Sequence, residues 1–190
     1  MQQTQQPRAK EENAIILDFL SNGYPFDNTP SHRKTSIAQA LGEEHFSLLE
    51  LVPKKDVVLK QHQKVYIGEG KREEIHHING KLPLDRLTGS AKSEIEFVIT
   101  DLITKNEAKY VDFFNKSQPL STRMHTLELL PGLGKKHMWE IIEERKGEPF
   151  KTFDDIKTRI KLMPDPKKLI VKRIMMEITG QEKHKLFVRE

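Results

Sequence analysis

The run with the clearest potential chemistry is LPGLGKK, at residues 130–136. Its two glycines allow a tight turn between two helices and a close approach of another molecule. The first N–H groups of the helix after the turn have no partner within that helix, and the helix dipole makes this end positive. Two lysines add charge beside these donors. The spacing therefore predicts a phosphate-binding site, formed by Gly132, Leu133, Gly134, Lys135 and Lys136.

The same run resembles the helix-hairpin-helix motif, whose hairpin is an apolar residue, proline, glycine, an apolar residue and glycine. After it, Gly147-Glu148-Pro149-Phe150 resembles the connector of tandem helix-hairpin-helix domains. Thr152 is placed to cap the next helix, with Asp155 three residues on. The resemblance therefore implies a second hairpin, between predicted helices at about residues 153–161 and 167–179.

This second hairpin, LMPDP at residues 162–166, lacks both glycines. Pro166 has no N–H to donate, and Asp165 puts a negative charge where a phosphate would lie. We therefore predict a mainly structural role for it. Peripheral contacts to a nucleic acid are one interpretation of its basic side chains, and a solvated face is the other; these side chains are Lys167, Lys168, Lys172 and Arg173.

The predicted secondary structure around the first hairpin changes from strands to helices along the chain. Short β-type runs at roughly ten-residue spacing, from residue 13 to residue 78, predict a small barrel rather than alternating strands and helices. A helical turn is predicted at 36–41 and a tight turn at Asn79-Gly80. Helical periodicity begins near Ser90 and continues to about Thr179. The last strand-like run, residues 185–189, is predicted to return to the barrel, because a lone strand needs a sheet.

The whole order of motifs is similar to that of the archaeal domain-of-unknown-function family 655. The matching motifs are LDFL, LLELVPKK, VYIG, KREEI, VDFFNKSQPLSTRMHTLELLPGLGKKHMWEIIEER, PDPKKLIVKRI and LFVR, so that the resemblance covers nearly all of residues 11–190. Members of this family are predicted nucleic-acid binders. The resemblance implies an α+β protein that joins an OB-like barrel to a tandem helix-hairpin-helix domain.

On this basis we divide the chain into five parts: a disordered tail (1–10), an OB-like barrel (11–89), a helical connector (90–118), the tandem helix-hairpin-helix domain (119–180) and a terminal strand (181–190). An OB barrel binds nucleic acid with stacking aromatic side chains and a basic groove. The candidates on the barrel are Lys64, Tyr66, Lys71 and Arg72.

Composition narrows the classes of function. The 190 residues include no cysteine, which excludes disulfides, thiol catalysis and cysteine-ligated metals. The net charge is +4; residues 1–119 carry 16 basic and 17 acidic side chains, and residues 120–190 carry 16 and 11. The basic excess therefore surrounds the predicted hairpins. No apolar run is long enough to span a membrane, and no signal peptide is recognised, so we expect a cytoplasmic protein.

No set of residues can be nominated for catalysis or for a resident metal or cofactor. His76 and His77 are adjacent in a predicted strand, where neighbours point to opposite faces, so the pair is a poor chelate even with His62. A glycosylase of the helix-hairpin-helix class would need a catalytic Asp after the hairpin, which residues 147–149 do not supply.

We expect a non-enzymatic protein that binds DNA or RNA, largely independently of sequence. One alternative is an adaptor that contacts proteins of the translation or transcription machinery. The other alternative is an enzyme that processes nucleic acid.

Overall fold

A computed structural model of the chain describes residues 10–25, 30, 33–180 and 182–189. The predicted tail lies outside these residues, except for Lys10, whose Nζ is 2.5 Å from Glu69 Oε1. The chain divides into two compact units. The first, the sheet unit, contains the residues up to Val98 and those from Ile178 onward; the second, the hairpin unit, is Ile99–Glu177.

The sheet unit contains a curled five-stranded sheet that is consistent with an OB-like barrel. All its strand pairs are antiparallel, and the order is β4-β1-β2-β3-β5. With the helices described below, this makes an α+β protein. The strands are β1 (Asn13–Leu20), β2 (Ile37–Gly42), β3 (Leu48–Pro53), β4 (Lys64–Tyr66) and β5 (Ile75–Lys81).

The core of this unit forms because alternate residues of each strand face one side of the sheet. These side chains are apolar, and each is at most 7% exposed. Register shifts in β1 and β5 keep the apolar positions on this side where the strands bend. The core includes Ala14, Ile16, Ala38, Ala40, Leu49, Leu51, Val65 and Ile75.

A buried carboxylate organises the loop between β2 and β3. Glu11 accepts hydrogen bonds from the backbone N–H groups of Glu44, His45 and Ser47, at 2.9, 3.0 and 3.2 Å. A Cβ at Gly42 would lie 2.0 Å from Glu11 Oε1, so a larger residue there would displace the carboxylate. Hydrogen bonds to a charged acceptor are stronger than neutral ones, so these three bonds hold the loop in place.

A fully buried glutamine ties the sheet to the first helix. Gln39 Nε2 donates to the Tyr24 hydroxyl (3.1 Å) and to the Arg86 carbonyl (3.0 Å), while its Oε1 accepts from the Thr88 N–H (2.9 Å). Thr88 in turn caps the helix, because its hydroxyl accepts from the Ala91 N–H at 3.0 Å. Every polar atom of the buried amide is therefore engaged.

The hairpin unit is built from helices and one small hairpin of strands. Helix α1 begins in the sheet unit and ends in the hairpin unit. The elements are α1 (Gly89–Lys105), α2 (Glu107–Lys116), β6 (Pro119–Ser121), β7 (Met124–His125), α3 (Lys135–Gly147), α4 (Phe153–Arg159) and α5 (Pro166–Ile178). Its core side chains include Ile99, Ile103, Val111, Phe114, Leu130, Ile141, Ile156, Ile170 and Ile174.

Two polar connections fasten α2 to the rest of this unit. The Asn115 side chain exchanges hydrogen bonds with the backbone of Phe150, at 2.9 and 2.8 Å. Arg145 donates to the Phe114 carbonyl (2.8 Å) and to the hydroxyl and carbonyl of Ser117 (3.1 and 2.9 Å). The guanidinium thus satisfies carbonyls at the end of α2 that have no helical partner. Its burial lowers the pKa of Arg145 from the usual value.

Three sequence-based predictions of local structure are wrong. Residues 36–41 form no helical turn; Ile37–Gly42 is a strand, because its apolar side chains are buried between neighbouring strands. Residues 57–59, one of the short β-type runs predicted between residues 13 and 78, are not a strand. Asn79-Gly80 is not a turn but lies within β5, where Gly80 has a φ of +149° at a register shift opposite Glu50.

The prediction of a strand at the C-terminal end is also wrong, because residues 182–189 form no strand. The segment nevertheless belongs to the sheet unit. Arg189 N donates to the His45 carbonyl, and Ser47 Oγ donates to the Arg189 carbonyl, each at 3.3 Å. These contacts lie at the β2–β3 loop and not along a strand edge, so a ladder of backbone bonds cannot form.

None of the helices in the described part of the chain is both long enough and apolar enough to cross a membrane.

Candidate functional site

The segment before the first hairpin is a 3-10 turn, Thr126–Leu129, and not the predicted α-helix. A capping box forms it: His125 Nδ1 accepts from the Leu127 N–H (3.1 Å), and Glu128 Oε1 accepts from the His125 N–H (2.8 Å). Burial, with Arg145 nearby, lowers the pKa of His125, and Glu128 partly opposes this. The imidazole therefore remains a neutral acceptor at physiological pH.

The hairpin itself is a compact turn fixed by two buried leucines. Leu130 and Leu133 are 1% and 8% exposed, and the Leu133 N–H donates to the Leu130 carbonyl at 3.1 Å. Gly132 has a φ of +97°, in the region that favours glycine, and a Cβ there would touch Leu169 at 3.6 Å. The backbone of the turn thus strongly favours a glycine at position 132.

Gly134 is different, because the fold does not require it to be a glycine. Its φ is −76°, and an added Cβ would meet nothing within 4 Å. It is the N-cap residue of α3 and offers no side chain to the first-turn N–H groups. The glycine leaves the surface in front of these donors open.

Two lysines stand at this open helix end. Lys135 and Lys136 are exposed, and Lys136 Nζ lies 3.9 Å from Glu140 Oε1, one turn further along α3. Lys135 makes no ion pair with the residues that the structure describes. The structure therefore brings the five predicted hairpin residues together at one helix N-terminus, where positive potential and free donors coincide.

The second hairpin shares two backbone features with the first, although its loop is one residue longer. The Met163 N–H donates to the Ile160 carbonyl at 3.3 Å, and Leu162 takes the place of Gly132 with a φ of +59°. Its helix end is occupied, because Asp165 Oδ1 accepts from the Lys168 N–H at 3.2 Å. A side chain of the protein itself therefore fills the position that is open at α3.

The basic residues of α5 have different environments. Lys168 and Lys172 are exposed, and Lys167 Nζ is 3.5 Å from the hydroxyl of Thr104. Arg173 is only 2% exposed, and its Nε donates to Glu177 Oε1 at 2.8 Å. The interpretation of Arg173 as a peripheral contact is wrong, because its guanidinium also donates to the Leu129 carbonyl at 3.0 Å, directly before the first hairpin.

The candidates on the sheet unit mostly contact their own surroundings. Lys64 pairs with Glu43 at 2.7 Å, and Arg72 Nε donates to the Gly68 carbonyl at 2.9 Å. The Tyr66 hydroxyl accepts from the Gly70 N–H at 3.1 Å, and its ring shapes this turn. Lys71 is largely exposed, 3.8 Å from Glu73. A cavity of about 730 Å³ includes Tyr66 and Arg72 in its lining, but neither Lys64 nor Lys71.

Histidines form no metal-binding group within the described residues. His76 and His77 do not point apart as strand neighbours usually do; their Nδ1 atoms are 2.7 Å apart, because β5 shifts register beside them. His62 pairs with Glu94 at 2.7 Å and stacks on Phe97.

Sequence reasoning missed the roles of four residues in the hairpin unit: His125, Glu140, Leu162 and Arg173. The spacing of His125 and Glu128 is that of a capping box, so this signal was readable. The i,i+4 spacing of Arg173 and Glu177 also permits an ion pair. By contrast, the exposure of Leu162 depends on tertiary packing, which no local pattern reports.

Fold and site together define an α+β protein in which a curled antiparallel sheet is followed by a helical unit with two similar hairpins. The chain belongs to the family described as "Protein of unknown function (DUF655)", which matches residues 10–189. It is 41% identical over 182 residues to "Uncharacterized protein MJ0038" of Methanocaldococcus jannaschii, covering 96% of this chain and 81% of that protein.

A solved structure of the same family is similar in both sequence and fold. The crystal structure of Af1531 from Archaeoglobus fulgidus, titled as a member of DUF655, is 48% identical with a TM-score of 0.86. The match covers 93% of this chain and 99% of that one. The predicted family is thereby confirmed, and its relatives are archaeal.

Proposed function

We propose that the protein is a non-enzymatic binder of DNA or RNA that grips the phosphate backbone through a helix-hairpin-helix at residues 130–136. A phosphate would accept hydrogen bonds from the first-turn N–H groups of α3, and Lys135 and Lys136 would neutralise its charge. Because the phosphate carries no sequence information, binding is largely independent of sequence.

One observation carries this proposal: α3 begins with an open, glycine-capped end, whereas α5 does not. Both helices follow a hairpin with a positive φ and a similar turn hydrogen bond, but Asp165 caps α5 and no side chain caps α3. Neither backbone strain nor packing requires a glycine at position 134. Glycine is a tolerated N-cap residue in its own right, but here it also leaves room for another molecule, and the two exposed lysines indicate an anionic one.

The remaining basic candidates have secondary roles in this proposal. Lys167 and Lys168, at the start of α5, are placed for peripheral contacts. On the sheet unit, Lys71 is the most exposed of the predicted cations. Lys64 and Arg72 would have to leave their present partners to bind a phosphate, so we assign the main affinity to the hairpin.

The test is a double substitution, Lys135→Ala with Lys136→Ala, assayed on labelled DNA and RNA of both single- and double-stranded form. Affinity should fall, and the slope of log K against log salt should flatten by about 2, or about 1 for each phosphate contact. If the double variant binds every nucleic acid of the panel as tightly as the wild type, the assignment of the phosphate site to this hairpin is wrong.

The matched control replaces Lys55 and Lys92 with alanine. Both are exposed and lie on the sheet unit, so the net charge changes equally while the hairpin stays intact. Its binding should remain close to that of the wild type. An equal loss in both double variants would indicate only a general charge effect.

A further inference from the structure

The second hairpin carries an exposed leucine in a strained conformation. Leu162 has a φ of +59°, and 83% of its surface is exposed. The left-handed region is unfavourable for a bulky L-residue, which is why glycine usually takes such positions. Gly132 does so at the equivalent point of the first hairpin.

The other non-glycine residues with positive φ are compensated. Phe46 is 1% exposed and packs into the core, and His62 pairs with Glu94 and stacks on Phe97. Asp56 is of a type that adopts this conformation readily. Within the described chain, Leu162 alone combines the strain with an apolar side chain that lies almost wholly in solvent.

The surroundings of Leu162 are basic. Residues 160–172 contain four lysines and one acid, Asp165, which is engaged at the start of α5. Lys161, Lys168 and Lys172 are exposed and make no ion pair with the residues that the structure describes. An exposed apolar side chain on a segment that carries such lysines complements a surface that is anionic outside and apolar inside, as a nucleic-acid duplex is.

We propose that Leu162 is an apolar wedge that inserts between stacked bases when the first hairpin grips the backbone. This inference rests on the function proposed above. The two hairpins then have different roles. The first hairpin binds phosphate, and the second, whose helix end is occupied by Asp165, unstacks two neighbouring bases. Burial of the leucine between the bases offsets part of the cost of unstacking them.

The test uses DNA and RNA duplexes that carry single 2-aminopurine bases at successive positions, because this base fluoresces more strongly when it is unstacked. Two variants are compared with the wild type: Leu162→Gly, which relieves the backbone strain, and Leu162→Asn, which tolerates it. Both should fold at least as stably. Leu120→Asn, on the exposed strand β6 of the same unit, is the matched control.

At saturating protein, the wild type and Leu120→Asn should brighten the probe at one or more positions, and both Leu162 variants should lose most of that increase. The Lys135/Lys136 double variant should need more protein but reach the same brightness. If duplexes bind with no brightening, or if the Leu162 variants brighten them equally, the wedge is wrong while the proposed function stands. If the wild type binds neither duplexes nor single strands, both are wrong.

Discussion

At the scale of single residues, the two glycines of the first hairpin have different physical roles. Gly132 has a left-handed φ of +97° that the turn requires. Gly134 has an ordinary φ, and its missing side chain leaves the end of α3 uncovered. A substitution at position 132 therefore tests the fold, whereas one at position 134 tests the proposed phosphate site.

We expect Gly134→Ser to weaken nucleic-acid binding by about tenfold. The serine side chain would occupy the first-turn N–H groups of α3, which would otherwise form a charge-assisted hydrogen bond with phosphate. Serine is a preferred N-cap, so stability should be equal or slightly higher. Fluorescence anisotropy measures the binding, and thermal unfolding measures the stability. Unchanged affinity in a well-folded variant would contradict the proposed contact.

We expect Glu140→Gln to tighten binding by roughly twofold, in line with the small energies of exposed ion pairs. Glu140 Oε1 lies 3.9 Å from Lys136, while its Oε2 is buried without a partner among the described residues. The change frees Lys136 and removes a negative charge beside the proposed phosphate. The gain should shrink as salt rises; Glu143→Gln, further along α3, is the control.

At the scale of elements, the turn before the hairpin depends on a histidine that must stay neutral. His125 accepts a hydrogen bond at Nδ1, and its pKa in the folded protein lies below the ordinary value of about 6.5. The stability it contributes is therefore fully present above about pH 6.5 and is lost as the pH falls through its folded pKa.

His125→Asn should flatten this pH dependence, because asparagine is a good cap that does not titrate. Urea unfolding of the wild type and the variant, from neutral pH to about pH 5, measures the difference. Parallel curves for the two proteins would contradict the role of His125. The comparison with the variant removes the contributions of the other histidines.

The buried ion pair in α5 should be costly to break on one side only. Arg173→Met removes the 2.8 Å ion pair to the carboxylate of Glu177, which is 0% exposed, at an expected cost of about 3–5 kcal/mol in the free energy of unfolding. Adding Glu177→Met should recover much of the loss. Chemical denaturation checks this; if the single variant is as stable as the wild type, the pair has no structural importance.

Local signals explain which elements could be predicted. Helix α4 has the capping residue Thr152 before it and acidic side chains in its first turn. The structure confirms both the cap and the helix, because Thr152 Oγ1 accepts from the Asp155 N–H at 3.0 Å. β2 was mistaken for a helical turn because burial on both faces hides its alternation. Asn79-Gly80 carries a turn signal that pairing with β3 overrides.

In the candidate site, too, local signals locate some residues and fail for others. The glycines and lysines at 132–136 are adjacent in sequence, so a motif could locate them. Arg72, Tyr66 and Arg173 each contact a residue four positions away along the chain, and Arg173 also donates to the distant Leu129 carbonyl. Residue type alone does not show that these side chains are already engaged, so the sequence makes them look available.

At the scale of the whole molecule, the proposed binder and the adaptor alternative predict different partners. If nucleic acid is the direct ligand, proteins recovered with the tagged chain from an archaeal lysate should be lost after nuclease treatment. The adaptor would keep them. Retention of the same partners by nuclease-treated wild type, and their loss with the Lys135/Lys136 double variant, would favour the adaptor.

The curled sheet ends in two edge strands, β4 and β5. A long, flat edge is a template to which a strand of a second copy can add. Here β4 has three residues, and the pairing of β5 with β3 is broken by two register shifts. The irregularities that misled the sequence-based assignment of β5 thus also lower the tendency of this open sheet to aggregate edge to edge.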